Sequence, residues 1–382
     1  MASTTTPTRS PRAARRLQAI PPTIFTEMSA LAVRTGALNL GQGFPDVDGP
    51  ATVVEKAVEA LRAGRNQYAP GPGVPELREA IASHQARHYG IDLDPQREVL
   101  VTAGATEAIA AAILSLVDPG DEVVLLEPFY DSYTACIEMA GGVRRPVTLR
   151  APDFRLDVDA LRAAVTDRTK LLLVNTPHNP TGTVLTREEL EAIAAVAVEH
   201  DLVVVTDEVY EHLVYDDHEH VPLCTLPGMA ERTISISSAG KTFSFTGWKV
   251  GWATGPASLV RTVEAAKQWL TFCSGSPLQP AIAHALRSHG IYTRLVYPHW
   301  LGKALEGAAE RRDGGNGEQL AIVEETPVRE RGTRRGRSSR AARALPLHRS
   351  PMRTLLVRRP RPHARATALG LPGKAVRQGR ER

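Results

Sequence analysis

Two lysines eight residues apart, Lys241 and Lys249, lie in the stretch SSAGKTFSFTGWKVGWATGP, residues 237–256. Lys241 is flanked by small and aromatic residues, where keeping a charge from water is costly. A lysine in such surroundings lowers its pKa and becomes a nucleophile toward a carbonyl, the chemistry of a Schiff base. An incidental lysine on a surface loop fits the same letters, so the rest of the chain must decide.

Other reactive types fall at the ends of apolar runs. Asp207 closes LVVVTD, with Tyr210 three residues on; a carboxylate there caps a helix or answers a buried cation. The run LLLVNTP leads into HNPTG (178–182), where Asn179 offers both a donor and an acceptor beside a Pro/Gly turn. TAGATEA (102–108) reads as a strand, a turn at Gly104 and a helix opening at Ala105 and Thr106. Such an opening presents free N–H groups and a positive dipole end to a phosphate. EPFYDSY (127–133) puts Phe129 and Tyr130 at another strand end, as core aromatics or as a face for a flat ring.

Each feature alone is common, but together they describe one ligand. A phosphate meets the helix opening, Ser238 and Lys249. A planar ring stacks on an aromatic, Asp207 pairs with its protonated nitrogen, and Asn179 and Tyr210 bond its oxygen. Lys241 forms an imine with its aldehyde. That ligand is pyridoxal 5′-phosphate, whose protonated ring is an electron sink for a substrate carbanion. The sequence supplies no metal-ligating set.

The elements that must position these residues are legible from periodicity. Helices are expected at 52–64, 75–90, from 105 to 117 and at 187–200, and strands at 98–104, 121–128, 169–177, 201–210 and 232–238. Short β-rich runs separated by helices predict an α/β fold around a mostly parallel sheet, with ligands gathering at the carboxyl ends of its strands.

Composition narrows the class. The 382 residues are 42% hydrophobic and 23% charged, ordinary for a globular protein, and no run approaches the ~20 apolar residues of a membrane helix. The three cysteines, Cys136, Cys224 and Cys273, share no close spacing, which points to a reducing compartment. The overall charge of +4 is misleading. Residues 311–382 hold 19 basic and 6 acidic residues, a balance of +13, which leaves 27 basic and 36 acidic elsewhere, a balance of −9. The basic tail lacks the interleaved aromatics of single-strand binders and any helical register for a groove, which argues against a nucleic-acid partner.

The wording NLGQGFPD, NQYAPGPGVPELREAI, EPFYDSY, NTPHNPTG, TDEVYEHLVYD and SSAGKTFSFTGWKVGW resembles the class I/II aminotransferases of fold type I. The likeness spans about residues 20 to 290. It is greatest to the kynurenine, glutamine and methionine aminotransferase group, with its bacterial N-succinyldiaminopimelate relatives. The resemblance implies Lys241 as Schiff-base lysine and proton shuttle, Asp207 at the pyridine nitrogen, and Asn179 and Tyr210 at the ring hydroxyl. It implies Phe129 stacked on the ring, and Gly104, Ala105, Thr106, Ser238 and Lys249 around the phosphate. Tyr68 would reach the phosphate of a neighbouring subunit, making a homodimer, and Gly43 and Asn179 would meet the substrate. The reaction implied is amino transfer from an α-amino acid to a 2-oxo acid in the cytoplasm. A cysteine-conjugate β-lyase shares every cofactor residue, and a cofactor-binding protein with impaired turnover and a basic tail is a third reading.

The chain leaves the family pattern within 285–315. No Phe, Tyr or Trp occurs in 301–382, and none of the eighteen arginines of 311–382 matches the strand arginine that clamps the substrate carboxylate. The shift to Arg, Gly and Pro has the look of a reading-frame change, a genuine basic extension being the competing explanation. The expected division is a disordered basic tail (1–20), an N-terminal arm (21–50), a large cofactor-binding domain (51–290), the start of a small C-terminal domain (291–310), left incomplete, and an Arg-rich disordered tail (311–382).

Overall fold

The apolar runs bounded by Gly, Pro or Asp become a seven-stranded sheet. Its strands are β2 (Val99–Thr102), β3 (Glu122–Glu127), β4 (Val143–Thr148), β5 (Thr169–Asn175), β6 (Val203–Asp207), β7 (Thr233–Ser238) and β8 (Gly251–Thr254). The computed structural model describes residues 14–18, 20, 22–39, 48–288 and the three-residue segment Leu356–Arg358. The strand order is β2-β8-β7-β6-β5-β3-β4, and β8 alone runs against its neighbours. The expected mostly parallel α/β sheet is therefore present.

Along the central strands successive side chains enter opposite cores. Leu125, Leu171, Leu173, Val205 and Ile234 join one cluster with helices α4 (Ala105–Leu116), α5 (Asp131–Ala140) and α9 (Ala257–Leu270). Val124, Leu126, Leu172, Val174 and Val204 join the other with α6 (Val158–Ala164) and α7 (Arg187–Glu199). Apolar residues on both faces mark a sheet covered by helices on both sides, and each fully buried Leu or Ile contributes about 1.5–3 kcal/mol. A third cluster joins Val99, Val101 and Trp252 to α2 (Ala51–Arg62), α3 (Pro75–Tyr89) and α10 (Gln279–Arg287).

Local chemistry sets the helix ends. Thr186 and Glu189 form a capping box at the start of α7. Pro75 opens α3 and Gly90 closes it in the left-handed conformation. Lys267 on α9 is fully buried, and its ammonium donates to the carbonyls of Gly71 and Phe272, both at 2.6 Å. Two charge-assisted bonds offset part of the cost of burying that cation.

Helix α1 (Ile24–Thr35) and strand β1 (Ala37–Asn39) belong to a separate unit. There β1 pairs antiparallel with β9 (Leu356–Arg358). The expectation of a disordered tail over 311–382 lies outside the described residues, apart from β9, a strand the sequence pattern did not reveal.

Candidate active site

The carboxyl ends of neighbouring strands bring the chemistry together. Thr102 of β2 and Ser238 of β7 flank Gly251 of β8 in register. Gly104, with φ of +79°, turns the chain into α4, whose N-terminus has no side-chain cap. The two glycines are required by contact. A Cβ on Gly251 would stand 2.5 Å from the Gly104 carbonyl carbon and 2.7 Å from the Ala105 nitrogen. A Cβ on Gly104 would stand 3.0 Å from the Lys249 ammonium, which places that cation at the opening of α4. Lys249 itself adopts the left-handed conformation, φ +55°. A helix N-terminus with a lysine over it is an anion cradle.

Ser238 is buried and precedes the short helix α8 (Ala239–Thr242), which carries Lys241. The Lys241 ammonium lies 5.5 Å from the centre of the Tyr210 ring. Burial lowers its pKa; Asp207 opposes that shift and Lys249 adds to it. The pull is toward the neutral amine, the form that attacks carbonyls and takes protons.

Asp207 ends β6, fully in the interior. Burial lifts its carboxyl from 3.8 to about 6, against the opposing hydrogen bonds from the Tyr133 hydroxyl and the Val209 N–H. Tyr133, on α5, donates to Oδ2 at 2.6 Å and is itself buried. The bond could not be seen in the sequence, because its partners are 74 residues apart. A buried carboxylate held this way, with Lys241 acting on it only at a distance, suits a positively charged ring nitrogen.

Asn175, also missed in the sequence, organises the neighbouring turn. Its amide donates to the carbonyls of Asp207 at 2.8 Å and Pro177 at 3.1 Å, and its oxygen accepts from the Asn179 N–H at 2.7 Å. Asn179 then reaches the Tyr210 hydroxyl at 3.5 Å. Phe129 and Tyr130 pack against the edge of the core that Ala105 also borders, and Tyr130 bonds the Thr106 side chain.

One described site residue, Tyr68, stands apart from this grouping. Tyr68 is 81% exposed and meets Phe272 edge-on at 5.4 Å. Gly43 lies outside the described residues. The donor set of the rest fits pyridoxal 5′-phosphate: an anion cradle, an amine, a buried carboxylate and two neutral donors.

Comparison with known proteins agrees. The family model for aminotransferase class I and II matches residues 35–313. The chain is 60% identical over 274 residues to a probable N-succinyldiaminopimelate aminotransferase of Mycobacterium tuberculosis, covering 71% of this chain and 69% of that one. It is 44% identical over 266 residues to the methionine aminotransferase of Escherichia coli, covering 70% and 69%. A solved structure of N-succinyldiaminopimelate aminotransferase from M. tuberculosis superposes with a TM-score of 0.72 at 55% identity, covering 79% and 77%. The chain belongs to the class I and II aminotransferases, enzymes that use pyridoxal 5′-phosphate to move an amino group from an α-amino acid to a 2-oxo acid.

Proposed function

We propose that Lys241, Asp207 and the α4 cradle are the working parts of this aminotransferase, with Tyr133 as a positioning residue. The observation that carries the reading is the placement of Lys249 over the uncapped start of α4, beside buried Ser238 and the helix of Lys241. When bound, pyridoxal 5′-phosphate supplies an aldehyde and an electron-withdrawing ring. Lys241, drawn toward the neutral amine by burial, would hold the aldehyde and would serve as the base that moves the α-proton. Asp207 would keep a proton on the ring nitrogen, Asn179 and Tyr210 would bond the ring oxygen, and Phe129 would flank the ring. Gly104, Ala105, Thr106, Ser238 and Lys249 bind the phosphate.

The finer assignments are part of the same proposal. Gly43 borders the substrate carboxylate, and a homodimer lets Tyr68 reach the partner's phosphate. Exposed Tyr68, Trp269, Leu270 and Phe272 supply apolar surface for that contact. The described cysteines are all free, which favours the cytoplasm; no described helix is long and apolar enough to cross a membrane. No arginine is assigned to the substrate carboxylate, and loss of a bidentate clamp weakens binding and orientation. The chain therefore holds cofactor but transaminates far more slowly than its relatives. Borohydride treatment of the cofactor-loaded chain should fix the cofactor to Lys241, with slow 2-oxo-acid-dependent turnover. Attachment at another lysine sinks the site assignment; ordinary turnover sinks the impaired clamp.

A further inference from the structure

Immediately past Tyr210 lies a second polar cluster. Glu211 is 2% exposed; its Oε1 accepts from the Ser237 hydroxyl at 2.5 Å, while Oε2 is buried with no hydrogen-bond partner among the described residues. An unmet oxygen on a buried carboxylate is costly. His84, reaching in from α3, is fully buried, and its Nε2 stands 2.8 Å from His212 Nε2. One ligand atom from each of His84, Glu211 and His212 falls within 4.8 Å of the others. The rings of His88 and Tyr89 close around them. His88 is centred 4.6 Å from His84 and 5.1 Å from His212, and Tyr89 stacks on His212 at 6.5 Å.

Two imidazole nitrogens so close either share one proton or face one cation. The proton-sharing arrangement leaves Glu211 Oε2 without a hydrogen bond among the described residues, whereas one cation would meet both nitrogens and the oxygen. Two imidazoles and a carboxylate suit zinc and its neighbours; calcium and magnesium prefer oxygen. Zinc–nitrogen bonds of about 2.0–2.1 Å in a tetrahedron set the nitrogens about 3.3 Å apart, so the rings must part by about half an ångström while the Glu211 oxygen, within 4.8 Å of both, draws in.

We propose that His84, His212 and Glu211 form a divalent transition-metal site of the zinc class, a water filling the fourth position. It ties α3 to the segment that carries Asp207 and Tyr210, and through Ser237 to the end of β7. The sequence offered no hint, since His84 lies 128 residues from His212. The role is structural: the metal locks a strand end, and no reacting group is assigned to it.

The test uses tag-free, full-length, cofactor-loaded protein, stripped with a chelator and titrated with Co²⁺ and then Zn²⁺. One equivalent of Co²⁺ should give a visible d–d band that Zn²⁺ displaces, and Zn²⁺ should raise Tm. His84→Gln should weaken Co²⁺ binding at least about tenfold, the lower end of what losing even an outer-shell partner costs, and abolish the Tm rise. Its borohydride-fixed cofactor at Lys241 should persist, which separates this site from the cofactor site. Absence of a band and of a Tm rise at stoichiometric metal, or unchanged affinity in His84→Gln, overturns the proposal. Should that variant not fold, X-ray absorption of the Zn²⁺-loaded parent decides: two imidazoles and an oxygen support the site, and a shell without imidazole overturns it.

Discussion

The Tyr133 hydroxyl donates to Asp207 Oδ2 across 2.6 Å, inside the core and far from it in sequence. Its bond opposes the burial that lifts the Asp207 carboxyl. Tyr133→Phe should raise that pKa further and weaken cofactor binding by about 1.5–3 kcal/mol, the worth of a hydrogen bond to a charged group. Cofactor titrations followed across pH read this directly. Affinity equal to the parent's at every pH would remove Tyr133 from the positioning role.

Asp207 also sets a pH dependence for the cofactor-free protein. Its folded pKa of about 6 exceeds the 3.8 of an unperturbed carboxyl, so the folded chain holds the proton more tightly than the unfolded chain. Stability from this group is therefore lost as pH rises from about 4 to about 6, by about 3 kcal/mol once both states are ionised. Asp207→Asn should be free of that slope. Denaturant midpoints of the two proteins should diverge across this window, and parallel curves would refute the shift.

Replacing Asp207 with Ala removes the carboxylate that would hold the ring nitrogen protonated. The chemical step should slow more than about a hundredfold, on the order of 3 kcal/mol. Single-turnover kinetics isolates that step. A rate within about tenfold of the parent counts against the role.

Lys241→Ala should end borohydride fixation of the cofactor while phosphate contacts retain weak binding. Mass spectrometry of the reduced peptide is the readout, and a reducible adduct elsewhere in the variant excludes Lys241 as the attachment point.

Gly251→Ala drives a Cβ into the Gly104–Ala105 peptide at 2.5–2.7 Å. Backbone cannot swing aside like a side chain, so the β2–β8 pairing must shift. A loss of about 1–3 kcal/mol in stability is expected, with loss of cofactor affinity at least as large as that of Lys249→Ala. A stability curve matching the parent's would show the approach to be looser than described.

How much of this was legible depends on sequence distance. Asp207 stands out because it ends an apolar run with a residue that resists burial, Lys241 because small and aromatic residues flank it, and Asn179 because it sits in a Pro/Gly turn just past a strand. Tyr133 and Asn175 do not, because the bonds that tie each of them to Asp207 cross from one element to another, 74 and 32 residues apart. Strand β4, VRRPVT, lacks an apolar pattern; Arg145 within it lies 3.5 Å from the buried Glu122 carboxylate, a partner visible only once the sheet is built. Strand β8 is four residues containing a Gly and a Trp, too short to show a period. Lys267 reads as a surface lysine on an amphipathic helix, yet two loop carbonyls draw its ammonium inward.

The first large-domain strand to leave the ribosome, β2, is an edge strand whose one sheet neighbour among the described residues is β8, the last of that sheet. All four residues of β2 are buried. Until residue 254 has been made, that apolar strand lacks its partner in the sheet, and the cradle has only one of its two glycines. Loop closure over this span comes late and at an entropic cost. A nascent or truncated chain ending before Gly251 thus carries an open, sticky edge and nowhere to grip a phosphate.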